Sequence, residues 1–370
     1  MSPDPSRWGV EPGFTDYRGG WREASGPAVD AALRAMGADS ESPGDGGGDD
    51  VVVVRPGEGL SLPGRWSVRH EDGSGEEVEG GLTARSLGYL DLTSLDDGRR
   101  VLVVVAPEAC HLPDGLRAWG WAAQLHSFRS AGSWGMGDLA DLRRLGEWAS
   151  GRGASLVMVN PLHAPLPGLP VQPSPYFAAS RCFRNPIYLR VEEVPGAEGC
   201  PTVAEAARAA HRLNGDRHIH RDAVWTLKSE ALEAAWERFR QWGGAEAHEF
   251  ADFRRRGGDN LAGFATFAVL TEVHGRGWQH WPEEHRRPDS AAVARFASDH
   301  ADRIGFHAWL QWLVDRQIAA AGSAIGVVND LAIGVDPAGA DAWLWQDSFA
   351  LGARVGAPPD EFNTLGQDWG

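Results

Sequence analysis

The strongest constraint in this sequence is an alternation of apolar runs and one amphipathic helix between residues 120 and 162. GWAAQLHSF (120–128) reads as a strand, DLADLRRLGEWAS (138–150) as a helix, and SLVMVNPL (155–162) as a buried strand ending in a polar loop. Asp138 is placed to cap the helix, with Leu139, Leu142, Leu145 and Trp148 on one stripe. Strand, helix and strand over about 45 residues make a βα unit of the kind that builds parallel sheets. AIGVVNDLAIGVD (324–336) reads as a third buried strand, with Asp330 inside or just past it. Between the second and third strands lie a loop rich in Pro, Ser and Tyr (165–188) and a long helical region. In the latter, Val224, Leu227, Leu232, Ala235, Trp236 and Phe239 recur at helical spacing. This order fits an α/β barrel carrying a helical insertion.

Upstream the texture differs. Residues 27–37 read as a short helix with Gly37 as a C-cap. Residues 38–50 are acidic and Gly-rich without periodicity, a flexible linker. VVVVR, RWSVRH, GYLDL and RVLVVVAP are short β-branched and aromatic runs separated by turns, the signature of a small antiparallel sheet or sandwich. The expected divisions are a helical segment (1–37), the linker (38–50), a small β-sandwich-like domain (51–115) and barrel residues 116–370, with the insertion at about 190–320.

Charge narrows the partners. With 35 Lys+Arg against 51 Asp+Glu the formal net charge is -16, which argues against nucleic-acid or anionic-membrane surfaces. The apolar stretches Val101–Pro107 and Leu156–Pro161 are far too short to span a bilayer, and MSPDPSRWGV has no signal-peptide pattern, so a cytoplasmic protein is expected. Cys110, Cys182 and Cys200 are too scattered for a disulfide framework or zinc site. Seventeen tryptophans raise a carbohydrate hypothesis, because flat rings stack on sugar faces, but core packing accounts for many of them.

In α/β folds ligands gather at the C-terminal ends of strands. Here those ends carry Ser127–Ser133, Asn160–His163 and Asn329–Asp330. Asp330 is the sharpest position, since a buried strand takes an acid only when it is paired or faces a ligand; capping of the next turn is the competing role. SPYFAASR (174–181) sets a hydroxyl, a tyrosine and an arginine within eight positions, although a Pro turn with a packed tyrosine would read alike. GAPPDEFNTLGQDWG (356–370) is a loop holding Asp360, Phe362, Gln367 and Trp369, residue types that grip sugars or simply end a solvated tail. GSWGMG (132–137) lacks the order of a phosphate loop, and His211, His218 and His220 read as surface residues.

The run of motifs resembles the 4-α-glucanotransferases, also called amylomaltases or disproportionating enzymes. It is carried by WGWAAQLHSFRSAGSWGMGDLADL (119–142), VNPLHAPLP (159–167), SPYFAASRCFRNPIYL (174–189), LQWL (310–313), NDLAIGVDPAGADAW (329–343) and GAPPDEFNTLGQDWG (356–370). The resemblance implies an α-amylase-type (β/α)₈ barrel acting on α-1,4-glucans by a retaining double displacement, with no metal or organic cofactor. It implies that Tyr176, beside Ser174, stacks on the transferred sugar and that Asp330 supports the reacting centre. Asp360, Phe362, Gln367 and Trp369 then belong to a loop folding over the glucan near the acceptor, where Glu361 departs from the aromatic or polar residue expected. The family's nucleophile, acid/base and third carboxylate come from barrel strands four, five and seven. Only about the first three barrel strands are read here, and no R-I-D-H, E-D-L-G or H-D-N motif occurs. The nucleophile and acid/base are accordingly expected beyond Gly370. These residues are therefore expected to be the N-terminal portion of a longer transferase, inactive alone, with a missing C-terminal half as possible partner. The alternatives are a non-catalytic glucan-binding remnant, one half of a split enzyme, or a hydrolase of the α-amylase clan.

Overall fold

The structure is a computed structural model that describes residues 4–38, 50–242 and 244–369. Gly370, the residue beyond which the nucleophile and acid/base are expected, thus lies outside the described residues, and the last side chain placed is that of Trp369. The chain forms two compact units: residues 1–11 with 37–117, and residues 12–36 with 118–370. The N-terminal residues are not purely helical. Gly13–Thr15 (β1) and Trp21–Glu23 (β2) pair as an antiparallel ribbon whose turn is held by Asp16, which accepts the N–H groups of Arg18 and Gly20. Gly26–Ala35 (α1) follows, capped by Ser25, and Gly37 closes it at a left-handed φ of 68°. Residues 12–36 thus group with the second unit instead of forming a segment of their own. The expected linker lies almost wholly outside the described residues.

Among the described residues the first unit holds one sheet, not a sandwich. Asp50–Val54 (β3), Gly59–His70 (β4), Gly75–Thr83 (β5), Gly88–Ser94 (β6) and Arg100–Val105 (β7) join in the order β3-β7-β6-β4-β5. All pairs are antiparallel except β3 with β7. The alternation that suggests two facing sheets has another cause. Val101, Val103 and Val105 alternate inward, and their buried neighbours Val54, Leu62, Trp66, Val68, Leu90 and Leu92 all come from the same ladder. A sheet that supplies its own core must curl. The register shift of β4 between Leu62 and Arg65 marks one bend, with Gly64 at φ 80° where a Cβ would meet the Asp96 carboxylate.

In the second unit Gly120–Ala123 (β8), Leu156–Val159 (β9) and Gly326–Asn329 (β12) form a parallel sheet with β9 central. The first strand is shorter than expected, because Gln124 turns the chain into a 3₁₀ turn at Leu125–Ser127. Leu139–Ser150 (α2) connects β8 to β9. Asp138 accepts the N–H groups of Ala140 and Asp141, and Asp141 returns the bond to the Asp138 N–H, a complete capping box. Leu139, Leu142 and Leu145 are buried as expected; Trp148 is exposed and lies against Trp121 instead.

Between β9 and β12 come the ribbon His163–Ala164 (β10) with Ser180–Arg184 (β11), then Pro201–Arg212 (α3), Arg221–Trp242 (α4), Ala245–His274 (α5), Ala291–Asp299 (α6) and Ala301–Gly322 (α7). The helix α5 breaks at Gly258, whose φ is 49°. An aromatic cluster of Trp236, Phe239, Phe250, Trp309 and Trp312 joins α4, α5 and α7. Most of the tryptophan excess is therefore packing. Trp134, Trp281, Trp309 and Trp343 are fully buried, and among the described residues only Trp21, Trp119, Trp121, Trp148 and Trp242 are exposed. The short helix Ala340–Leu344 (α8) and the ribbon Gly356–Ala357 (β13) with Gln367–Asp368 (β14) complete the described elements. Among them no helix is long and apolar enough to cross a membrane.

Candidate functional site

The strand ends of β8, β9 and β12 converge through a few buried polar residues. Asn160 follows β9 and is 3% exposed; its Oδ1 accepts the Leu125 N–H at 2.8 Å and its Nδ2 donates to the Tyr188 hydroxyl at 3.2 Å. It thereby ties the end of β8 to that of β9. Asp330 stands just past β12, half-buried, with its N–H donated to the Val159 carbonyl. Its Oδ1 accepts the Leu331 N–H and its Oδ2 accepts the Tyr176 hydroxyl at 2.9 Å.

Tyr176 and Asp330 are 154 positions apart in sequence, so this contact joins two separate motifs. Tyr176 is half exposed, so part of its side chain is free to meet a flat ligand. Its phenol is shifted upward because it donates to the Asp330 carboxylate. Ser174 lies beneath, its Oγ accepting the Tyr176 N–H at 3.4 Å. Arg181, in β11, donates from Nη1 to the carbonyls of Ala332 and Ile333, steadying the turn after Asp330.

The remaining residues singled out from sequence form a separate group. Asp360 accepts the N–H groups of Phe362 and Asn363, and these bonds hold its carboxyl below the usual range. Gln367 lies in β14 and accepts the Trp369 indole N–H, while Phe362 is 90% exposed. Among the described residues no hydrogen bond joins this loop to Tyr176 or Asp330.

GSWGMG is a packing element. Trp134 is fully buried and donates its indole N–H to Glu192 at 2.7 Å, and a Cβ on Gly137 would overlap the carbonyl oxygens of Leu125 and Phe128. Gly137→Ala is expected to destabilise the second unit by about 1–3 kcal/mol, read as a lowered unfolding midpoint. His211, His218 and His220 are not buried; His211 meets Glu192 and His220 meets Asp216. Among the described residues no cluster could hold a metal ion.

Sequence reasoning misses a buried charge network at the N-terminus of α2. Arg190 grips Asp138 at 2.6 and 2.9 Å and reaches Asp141 at 3.2 Å. Ser130 and Ser133 donate to the same Asp141 carboxylate. Lys228, wholly buried on α4, donates to the carbonyls of Ile187 and Leu189 at 2.6 and 2.7 Å. Burial pushes its pKa down to about 8, against the pull of Asp138. One signal for it is present in sequence: the chain's single lysine sits on the apolar stripe with Val224, Ala231, Leu232 and Ala235.

The site can be set beside known proteins. The model of glycoside hydrolase family 77, described as 4-alpha-glucanotransferase, matches residues 123–370, which includes every strand end above. The chain belongs to the 4-alpha-glucanotransferase family. The 4-alpha-glucanotransferase of Mycobacterium tuberculosis is 46% identical over 308 residues, covering 76% of this chain and 42% of that protein. That of Haemophilus influenzae is 30% identical over 331 residues, covering 80% and 47%. The amylomaltase of Corynebacterium glutamicum, known from its crystal structure, superposes with a TM-score of 0.78 at 29% identity, over 98% of this chain and 59% of that one. The chain thus spans less than half the length of these two curated 4-alpha-glucanotransferases. The family acts on α-glucans, and two of the motifs that resemble it in sequence, those of Tyr176 and Asp330, meet in space.

Proposed function

We propose that these residues form the glucan-gripping part of a retaining 4-α-glucanotransferase, which moves α-1,4-glucan segments to the 4-hydroxyl of an acceptor glucan. The observation that carries the reading is the Tyr176–Asp330 hydrogen bond. It sets a half-exposed aromatic side chain and a carboxylate side by side at the C-terminal edge of a parallel sheet, where barrel enzymes hold substrate. In this reading β8, β9 and β12 are the first three strands of a (β/α)₈ barrel. Their open face supports it: Met158 and Val328, paired across β9 and β12, are 39% and 41% exposed, as apolar residues awaiting the rest of a barrel interior would be. Ser174 and Tyr176 serve the transferred sugar, and Asp360, Phe362, Gln367 and Trp369 the acceptor side.

Double displacement needs two carboxylates about 5–5.5 Å apart. The described strand ends offer Asp330 alone, and it is engaged with Tyr176. In this reading the nucleophile and proton donor belong to further barrel strands, beyond Gly370, which the greater length of the curated relatives supports. The 370 residues by themselves then bind glucan without turning it over. The test is calorimetric titration of the chain with maltoheptaose. Saturable binding is expected, with Tyr176→Ala and Asp330→Asn each weakening it by about tenfold, equivalent to about 1.4 kcal/mol. Absence of binding to the folded chain would overturn the reading, as would unchanged affinity in both variants.

A further inference from the structure

His163 has no role in the reading above, yet its surroundings single it out. It lies in β10, 8% exposed, and its Nε2 accepts the backbone N–H of Ala332 at 3.2 Å. Ala332 is itself fully buried, two positions after Asp330. The turn from Asp330 to Ile333 is thus held on its donor side by His163 and on its acceptor side by Arg181, whose Nη1 reaches the Ala332 carbonyl at 3.2 Å and that of Ile333 at 2.8 Å. Both side chains come from the β10–β11 ribbon, and what they hold in place is the carboxylate that receives the Tyr176 hydroxyl.

We propose that His163 is a positioning residue for the glucan subsite, fixing Asp330 against Tyr176 through the Ala332 N–H. The inference rests on the reading of that pair as the glucan site. An imidazole nitrogen that accepts an amide N–H carries no proton, so His163 is neutral with its proton on Nδ1. Its environment keeps it so: burial, with Arg184 and Arg181 on the same ribbon, holds its pKa down to about 4, and the opposing pulls of the Arg181 backbone and of Asp330 are weaker. Two backbone groups meet the ring: Nε2 accepts the Ala332 N–H, and the Arg181 backbone favours the ring proton without a well-formed hydrogen bond to the buried Nδ1.

Two substitutions separate positioning from simple packing. His163→Leu keeps the bulk and removes the acceptor; His163→Gln keeps an acceptor oxygen within reach of Ala332. In maltoheptaose titrations of the chain, His163→Leu is expected to lose about fivefold in affinity and His163→Gln to recover most of it, as the loss of one net hydrogen bond implies. Wild-type affinity in both variants would overturn the inference, and so would equal loss in both. Absence of binding in the wild-type chain would instead remove the underlying reading. A second readout needs no variant: long-range ¹H–¹⁵N spectra with ¹⁵N-labelled histidine at about pH 6 should show His163 as the Nδ1–H tautomer. A protonated Nε2 would contradict the proposal regardless of how the variants fold.

Discussion

Purified polypeptide of these 370 residues, incubated with maltotriose, should release no glucose and form no longer glucans above the uncatalysed background. Binding energy spent on a glucan by Tyr176 and its neighbours lowers no barrier unless a nucleophile attacks the anomeric carbon and an acid protonates the leaving oxygen. General acid–base catalysis alone is worth roughly 10²–10⁴-fold, and the covalent step is lost with it. On the proposed reading Asp330 supplies neither part. It accepts from the Tyr176 hydroxyl and from its own loop, and the segments that follow β8 and β9, residues 124–137 and 160–165, contain no Asp or Glu. Glucose release by the chain, abolished by Asp330→Asn, would show that the chemistry is present after all.

The second large effect is on stability. Lys228→Met should cost about 3–5 kcal/mol, seen as an earlier unfolding transition of the second unit in urea. The substitution leaves the Ile187 and Leu189 carbonyls without their donor and leaves one buried cation, Arg190, facing two buried carboxylates, Asp138 and Asp141. These groups tie α4 to the capping box of α2, so the loss falls on the junction between insertion and sheet. A pH signature accompanies it. Lys228 releases its proton at about 8 when folded and at about 10.5 when unfolded. Between those values the unfolded chain binds more protons, so this residue makes stability rise with pH across that window, a slope the variant lacks. A cost below about 1 kcal/mol, or an unchanged slope, would show that the network is solvated.

What is legible in sequence follows from period and local chemistry. The βα unit is legible because Val157 and Val159 face the core in a run too apolar for an exposed strand, and Asp138 announces its helix by capping it. Trp148 is misplaced because helical spacing cannot tell a core stripe from its margin. The first unit reads as a sandwich because alternation reports that a face is buried, not what buries it; a curled sheet and two facing sheets write the same pattern. Tyr176 and Asp330 are each visible, but their pairing across 154 residues is not, since only tertiary structure brings a loop to a distant strand end. His163 is legible as part of a strand end and Lys228 as a lone lysine on an apolar stripe, but their partners are not, and Arg190 shows nothing in sequence; each gains its partner from another element.

On the proposed function Tyr176 and Asp330 mark a glucan subsite. The crystal structure of the chain soaked with maltoheptaose tests it most directly. A glucose ring is expected against the exposed part of Tyr176 with a hydroxyl within hydrogen-bond distance of Asp330. A glucan found elsewhere on the molecule, with Tyr176 bare, would contradict it.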